Sequence, residues 1–376
     1  MKYIIFEIFD WRVKSLSKHI CTLSSGDQVY FYDKSIVIYF QGKRKVLSTS
    51  LYNGGYHEDF VAVYNYDAKQ GSGMPCEMLA DTYVEHMKLI SQRLALDPKR
   101  VSGMGTAASM ENVAIETMTY DKLTVTAIVT GGIETNGGRV GDPADFYRPI
   151  EKPDNFGTIN IMLYIDCDLP PGTITRALVT CTEAKTAAIQ ELLEGSKYSN
   201  GIATGSGTDT TIVIANNENS LYLEGAGKHS KLGELIGKTV KNAVKKALKK
   251  QSGLSPQMQH DAFRRLKRFG VLPGAMWNDF SKLTGTTVKP KYLLAAEKLA
   301  KENDMLCYTS LYVHLIDQYL WELISEEEMQ KTGQNILHNL AECYGVEYFV
   351  IETASLEGML QAWQALFNNI VVLRVK

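Results

Sequence analysis

Short runs in which apolar and polar side chains alternate, DQVYFYD, SIVIYF and FVAVYNYD, fill much of the first 70 residues and are separated by Gly, Lys and Asn. Alternation with a period of two, carried by aromatic and β-branched residues, predicts strands joined by turns. Between residues 76 and 96 the apolar positions take helical spacing with no Pro or Gly to break it, so one amphipathic helix is expected. NVAIETMTY and LTVTAIVT, split by the polar pair Asp121 and Lys122, read as a hairpin. The stretch 131–156 then holds five glycines and three prolines, a length of loop that is unusual inside a compact domain and often functional. After it come strand GTINIMLYID, helix ITRALVTCTEAKTAAIQELL, a Gly-rich turn, strand TTIVIAN and helix KLGELIGKTVKNAVKKALKK. That order requires helices packed on a sheet face. At QSGLSP (251–256) Gly, Ser and Pro interrupt the lysine-rich helix and the texture turns mostly helical. Strands are expected again at EYFVIE (347–352) and IVVLRV (370–375), flanking helix LEGMLQAWQALF, so the second part reads as a smaller helix-rich α/β domain. The expected division is 1–252 and 253–376.

Composition narrows the function classes. With 376 residues, 45% apolar and 22% charged, the chain is globular, and a formal charge of -2 argues against nucleic acid as its main partner. Ten Lys/Arg and a single acid, Asp261, lie between Lys238 and Arg268, which raises a nucleic-acid reading. However, Lys238, Lys241, Lys245 and Lys249 recur at helical spacing beside Val240, Val244 and Leu248, as on a solvated helix face. The opening MKYIIFEIFDWRVK is too short and too acidic for a signal peptide or membrane span, so a soluble cytoplasmic protein without membrane contact is expected. Six cysteines without a CxxC pair read as reduced core thiols, and seven dispersed histidines without HExxH give no metal site. The tryptophans Trp277, Trp321 and Trp363 sit among apolar residues at helical spacing and are expected in the core.

Candidate chemistry concentrates in five polar segments. GMGTAASMEN (103–112) offers Gly105, Thr106 and Glu111, or simply a turn. TGGIETNGGRVGDPADFY (130–147) brings Gly131, Gly132, Glu134, Asn136, Arg139 and Asp142 together, with Asn136 and freed backbone N–H groups as oxyanion donors. In CTEAK (181–185), Glu183 and Lys185 lie two apart on a helix and must point in different directions. SNGIATGSGTDTT (199–211) supplies the hydroxyls of Thr204, Ser206 and Thr208 as nucleophiles or donors, with Asp209 as base or orienter; it lacks the GK[ST] ending of a Walker loop. GAGKHSKLGELIG (225–237) leads into a helix with Lys228, His229 and Ser230 at its start, and His229 is the general acid/base candidate.

Taken together, TGGIETNGGRVGDPA (130–144), GTINIMLYID (157–166), RALVTCTEAKTAAIQEL (176–192), YSNGIATGSGTD (198–209) and AGKHSKLGELIG (226–237) resemble the adenosylcobinamide amidohydrolases, the CbiZ family, over roughly residues 1–250. The resemblance implies hydrolysis of the amide joining a corrin propionate to 1-amino-2-propanol, giving adenosylcobyric acid in corrinoid salvage. The cobalt-containing corrinoid is then the substrate, and no further cofactor is called for. A second likeness, of GTINIMLYIDCDLPPGTITRAL to the self-processing aminopeptidase and ornithine acetyltransferase superfamily, implies a layered αββα-like sandwich of mixed sheet and helices. The expected fold class is therefore α/β (α+β).

For the chemistry, the expected assignment is His229 as general acid/base supported by Lys228 or Glu183, Asn136 and its neighbours as oxyanion donors, and Arg139 or Lys185 on corrin amides or carboxylates. The attacking group stays open between water and a hydroxyl of 204–208. Tyr147 and Tyr198 are expected as pocket walls or as core aromatics, and a homo-oligomer is possible. The rival reading is a corrinoid-binding protein without catalysis.

Overall fold

The computed structural model describes residues 17–69, 76, 78–144, 157–285 and 288–375. The chain divides into two compact units between Ser255 and Pro256.

In the first unit one sheet runs in the order β1 (Lys18–Thr22), β2 (Gln28–Tyr32), β3 (Ser35–Tyr39), β6 (Ala62–Asp67), β7 (Val101–Thr106). The other runs β5 (Gly55–His57), β4 (Lys45–Ser48), β13 (Thr210–Ala215), β11 (Thr158–Ile165), β9 (Leu123–Gly132), β8 (Ala114–Tyr120). The two sheets face each other across Val29, Ile36, Ile38, Val63 and Met104 on one side and Val46, Ile128, Met162, Tyr164, Ile212 and Ile214 on the other. Helix α1 (Tyr83–Arg93) covers the outer face of the first sheet through Met87, Ile90 and Tyr64. Helices α2 (Pro171–Glu191) and α3 (Lys231–Ser252) pack together and against β9 and β13. The mixed α/β architecture is thus layered helix–sheet–sheet–helix. Strand β11 is buried along its whole length, because Met162 and Tyr164 enter the space between the sheets while Ile161 and Leu163 point the other way. That is why GTINIMLYID reads as nearly continuous apolar sequence.

The hairpin β8–β9 closes at Asp121 and Lys122 as its polar pair indicated. The helix expected over 76–96 is shorter. Thr82 accepts a hydrogen bond from Glu85 N and starts it at Tyr83, and Ala95 at positive φ ends it. Strand β7 escaped the pattern because its sequence, VSGMGT, holds two glycines; a Cβ on Gly103 would stand 2.2 Å from Tyr64 Cζ, so the ring occupies the place of a side chain. Gly105 and Thr106, read as a loop, therefore belong to that strand.

Two buried polar features shape this unit. Asn65, Thr130 and Asn160 form a chain between the sheets, with Asn65 Nδ2 to Thr130 Oγ1 at 2.7 Å, Asn160 Nδ2 to Asn65 Oδ1 at 2.8 Å and to the Gly105 carbonyl at 3.0 Å. His86, on α1, accepts from Leu79 N through Nδ1 at 3.0 Å, which leaves the proton on a buried, unpartnered Nε2. Burial, and then the Arg93 charge, hold its pKa below the usual histidine value of 6.5. As pH falls below about 6.5 the unfolded chain takes up a proton that the folded one refuses, so stability declines until the lowered pKa is passed. A His86→Gln variant should lose part of the difference in urea midpoint between pH 7.5 and pH 5.5; an unchanged difference would assign the decline to other groups.

Among the described residues the second unit holds helices and no strand: α4 (Ala262–Leu266), α5 (Pro273–Thr284), α6 (Lys289–Ala300), α7 (Asn303–Leu320), α8 (Glu326–Tyr344) and α9 (Leu356–Val375). They enclose Phe280, Tyr292, Tyr312, Trp363 and Phe367. Neither strand expected here forms: 347–352 has no regular structure, and 370–375 continues α9. Asn368, between the expected helix and strand, is buried in α9, accepting from Tyr292 Oη at 3.0 Å and donating to the Met276 carbonyl at 3.4 Å. Trp363 is core and Trp277 packs on Phe280 and Tyr292, but Trp321 is exposed just past α7. Two of the expected core thiols, Cys307 and Cys343, are likewise exposed. No helix among the described residues is long and apolar enough to cross a membrane.

Candidate functional site

At the end of the second sheet where β11 and β13 begin, four of the family-like segments converge. The two-residue strand β10 (Gly137–Gly138) pairs with β12 (Gly205–Ser206), which lays 130–144 against 198–209. Asp209, just ahead of β13, accepts four hydrogen bonds: from Ile159 N at 2.8 Å and Ser206 Oγ at 2.8 Å on Oδ1, and from Ser206 N at 3.0 Å and Lys185 Nζ on Oδ2. These contacts let Asp209 orient Ser206, Lys185 and the head of β11, and they set its Oδ1 within reach of the Ser206 hydroxyl proton. Lys185 and Asp209 form an ion pair and are both nearly buried. The ammonium keeps donors beyond the one given to Asp209, which makes it a ready partner for developing negative charge. Glycine is required beside the pair: a Cβ on Gly205 would lie 2.4 Å from Asp209 Oδ2 and 2.7 Å from Lys185 Nζ.

The Gly157 carbonyl, at the head of β11, collects three donors: Asn136 Nδ2 at 2.5 Å, Thr208 Oγ1 at 2.9 Å and Ser206 Oγ at 3.0 Å. Asn136 was expected to face an oxyanion; one of its N–H groups is instead spent on Gly157, while its Oδ1 is buried without a partner. Turning the amide over would set two carbonyl-type oxygens against each other, so this orientation stands. Ser206 Oγ carries one proton, lies within reach of both Asp209 and Gly157, and accepts from Thr208 N at 3.4 Å.

Beside this cluster the turn 139–142 is held to the 196–204 loop. Arg139 N donates to Asp142 Oδ2 at 2.7 Å, Ser196 Oγ to the same oxygen at 2.5 Å, and Val140 N to Thr204 Oγ1 at 2.9 Å. Burial works against the Asp142 charge, but the hydrogen bonds from Ser196 and Ser199 and from Arg139 N win, holding the carboxyl below its usual range. Thr204 is thus an acceptor within the loop. Gly131 and Gly132 lie in β9 opposite Ile159 and Thr158, and Glu134 is exposed beside Gln251.

The remaining candidates lie elsewhere on α2. Glu183 pairs with Lys228 at 3.0 Å, both partly exposed. Two residues on, Lys185 projects about 200° around the axis, toward Asp209. Ser230 caps α3, accepting from Gly233 N at 3.0 Å and donating to the Gly227 carbonyl at 2.8 Å. His229 is exposed, and among the described residues nothing hydrogen-bonds or ion-pairs with its imidazole. Glu111 lies in the short helical turn Met110–Asn112, its N–H donating to Ser109 Oγ. Tyr147 lies outside the described residues. Among the described residues no group of three His, Cys, Asp or Glu is placed to hold a metal. Asn160, Asn65 and Thr130, which back the cluster from between the sheets through Thr158 Oγ1 to Asn160 Oδ1 at 3.1 Å, carried no signal in sequence, since isolated polar residues inside strands look like solvent-facing ones.

Five of the ten basic residues of 238–268 pair with acids of this chain. Lys238 pairs with Glu234, Lys241 and Lys245 with Glu191, Lys246 with Glu116, and Arg268 with Asp317.

A family model described as adenosylcobinamide amidohydrolase matches residues 20–256, more than half of the chain. An uncharacterized protein of Methanocaldococcus jannaschii is 30% identical over 260 residues, 66% of this chain and 96% of that protein.

Proposed function

Because the chain belongs to the adenosylcobinamide amidohydrolase family, we propose that it hydrolyses the aminopropanol amide of adenosylcobinamide, with water consumed and adenosylcobyric acid and 1-amino-2-propanol released. The observation that carries this reading is the convergence of segments 130–144, 157–166, 176–192 and 198–209 on the Lys185–Asp209 pair. An unactivated amide needs a group to stabilise the tetrahedral oxyanion and a positioned nucleophile. Lys185, almost shut off from water, supplies the positive charge; Asp209 holds it and the Ser206 hydroxyl in place. Ser206, either as nucleophile or as the group that seats the attacking water, is the hydroxyl nearest this charge pair. The cobalt arrives and leaves with the substrate. His229 and Lys228 precede α3, and Lys228 pairs with Glu183 of α2. The rival, corrinoid binding without chemistry, fits the same site.

Incubating the purified chain with adenosylcobinamide and following corrinoid mass separates the two. Loss of the aminopropanol mass with gain of one water is expected. A corrinoid recovered unchanged at full enzyme occupancy would end the hydrolase reading and leave a binding protein.

A further inference from the structure

Two of the large apolar side chains of the first unit stand almost free in solvent: Val140 at 84% and Leu51 at 80% exposure. Both sit at the end of the second sheet that carries Asp209. Val140 follows β10, and Leu51 follows β4, whose Ser48 faces Ile212 and whose extension is tied by Thr49 N to the Thr211 carbonyl at 3.0 Å. Tyr198, 52% exposed, belongs to the same rim: its ring lies over the bare Cα of Gly138, where a Cβ would come within 3.1 Å of Cδ2. The Arg139 stem lies across Gly201 in the same way, with a Cβ there only 2.6 Å from Arg139 Cδ. The hydrogen bonds of Asp142 and Thr204 hold the backbone of Arg139 and Val140 against the 196–204 loop. Exposed apolar groups ringing a polar centre are the usual lining of a site that takes a ligand with both apolar and polar parts.

We propose that Tyr198, Val140 and Leu51 form the rim that receives the apolar face of a large conjugated macrocycle, with Arg139 donating to the carboxamides at its edge. The inference rests on the hydrolase reading above and adds to it the surface that selects the substrate. A small amide would need only the Lys185 centre; a wide flat ring needs support well beyond it. The rim gives that support in the direction set by the β10–β12 pairing, which joins Gly138 and Gly205. Arg139 is exposed and its guanidinium carries several donors in one plane, suited to amide oxygens on a ring periphery.

The test uses the full chain and three surface variants, Tyr198→Ala, Val140→Glu and Leu51→Glu, each checked for an unchanged melting temperature. Corrinoid retention on ultrafiltration, read by absorbance, gives Kd for adenosylcobinamide, and aminopropanol release gives KM and kcat. Each variant should raise Kd and KM about tenfold, corresponding to about 1.4 kcal/mol of lost contact, while kcat moves far less. Unchanged Kd and KM in all three, with the wild type hydrolysing normally, would overturn the rim and leave the hydrolase reading intact. A wild type that retains corrinoid without releasing aminopropanol would overturn the hydrolase reading, and the Kd series would still judge the rim. A wild type that retains none would overturn both.

Discussion

Replacing Lys185 by Met is expected to lower kcat for aminopropanol release by about 10²–10³-fold, the range found when one preorganised oxyanion donor is removed. The substitution keeps most of the stem volume and removes the one cation that pairs with Asp209 among the described residues. Asp209 keeps its bonds to Ile159 N and to both groups of Ser206, so the loop from 205 to 209 retains its shape and the melting temperature should shift by only a few degrees. The informative comparison is with His229→Ala. The sequence made His229 the general acid/base candidate, whereas the geometry places charge, hydroxyl and orienting carboxylate around Lys185. Steady-state kinetics on both variants decide the matter. Near-normal kcat in Lys185→Met together with lost turnover in His229→Ala would move the reacting amide to the start of α3 and sink the present assignment.

Arg44→Met is expected to destabilise the first unit by about 3–5 kcal/mol, because it leaves a charge buried and unpaired. Arg44 and Asp27 are both nearly inaccessible to water, and Asp27 takes Nε at 2.7 Å, Nη2 at 2.8 Å and also Gln41 N at 2.7 Å. Burial disfavours the guanidinium charge, yet the Asp27 hydrogen bonds more than offset this and raise its pKa. Asp27 precedes β2 in one sheet and Arg44 precedes β4 in the other, so the pair links the two sheets at one edge. For a unit of this size the loss should appear as a fall in melting temperature of about 10 °C. Removing both charges, in Arg44→Met with Asp27→Leu, should recover most of the loss, since an apolar pair of similar volume is often as stable as a buried ion pair. A double variant as unstable as the single one would show that lost packing, not the orphaned carboxylate, accounts for the effect.

Much of the fold could be read before any coordinates. Strands β2, β3, β6, β8, β9, β11 and β13 and helices α2 and α3 announce themselves because each buries a face or a whole strand, and burial writes a period into the sequence. Where contact with another element replaced the period, reading failed. Strand β7 substitutes Gly103 for a side chain because Tyr64 lies over it, and α9 runs through Asn368–Asn369 because Tyr292 and Met276 satisfy the buried amide. Glycine and asparagine look alike as breakers in a linear text, whatever their neighbours in space supply.

The same division holds for the site. Sequence by itself determined the family, and that Glu183 and Lys185 diverge, since helix geometry is local and the family-like stretches are contiguous. Only the tertiary structure decided which residues meet. Lys185 reaches Asp209 across 24 positions, and Asn160 reaches Asn65 across 95. Such partners are chosen by strand order and by which glycines let a side chain lie against the backbone, and neither is a property of any residue taken with its neighbours in the chain.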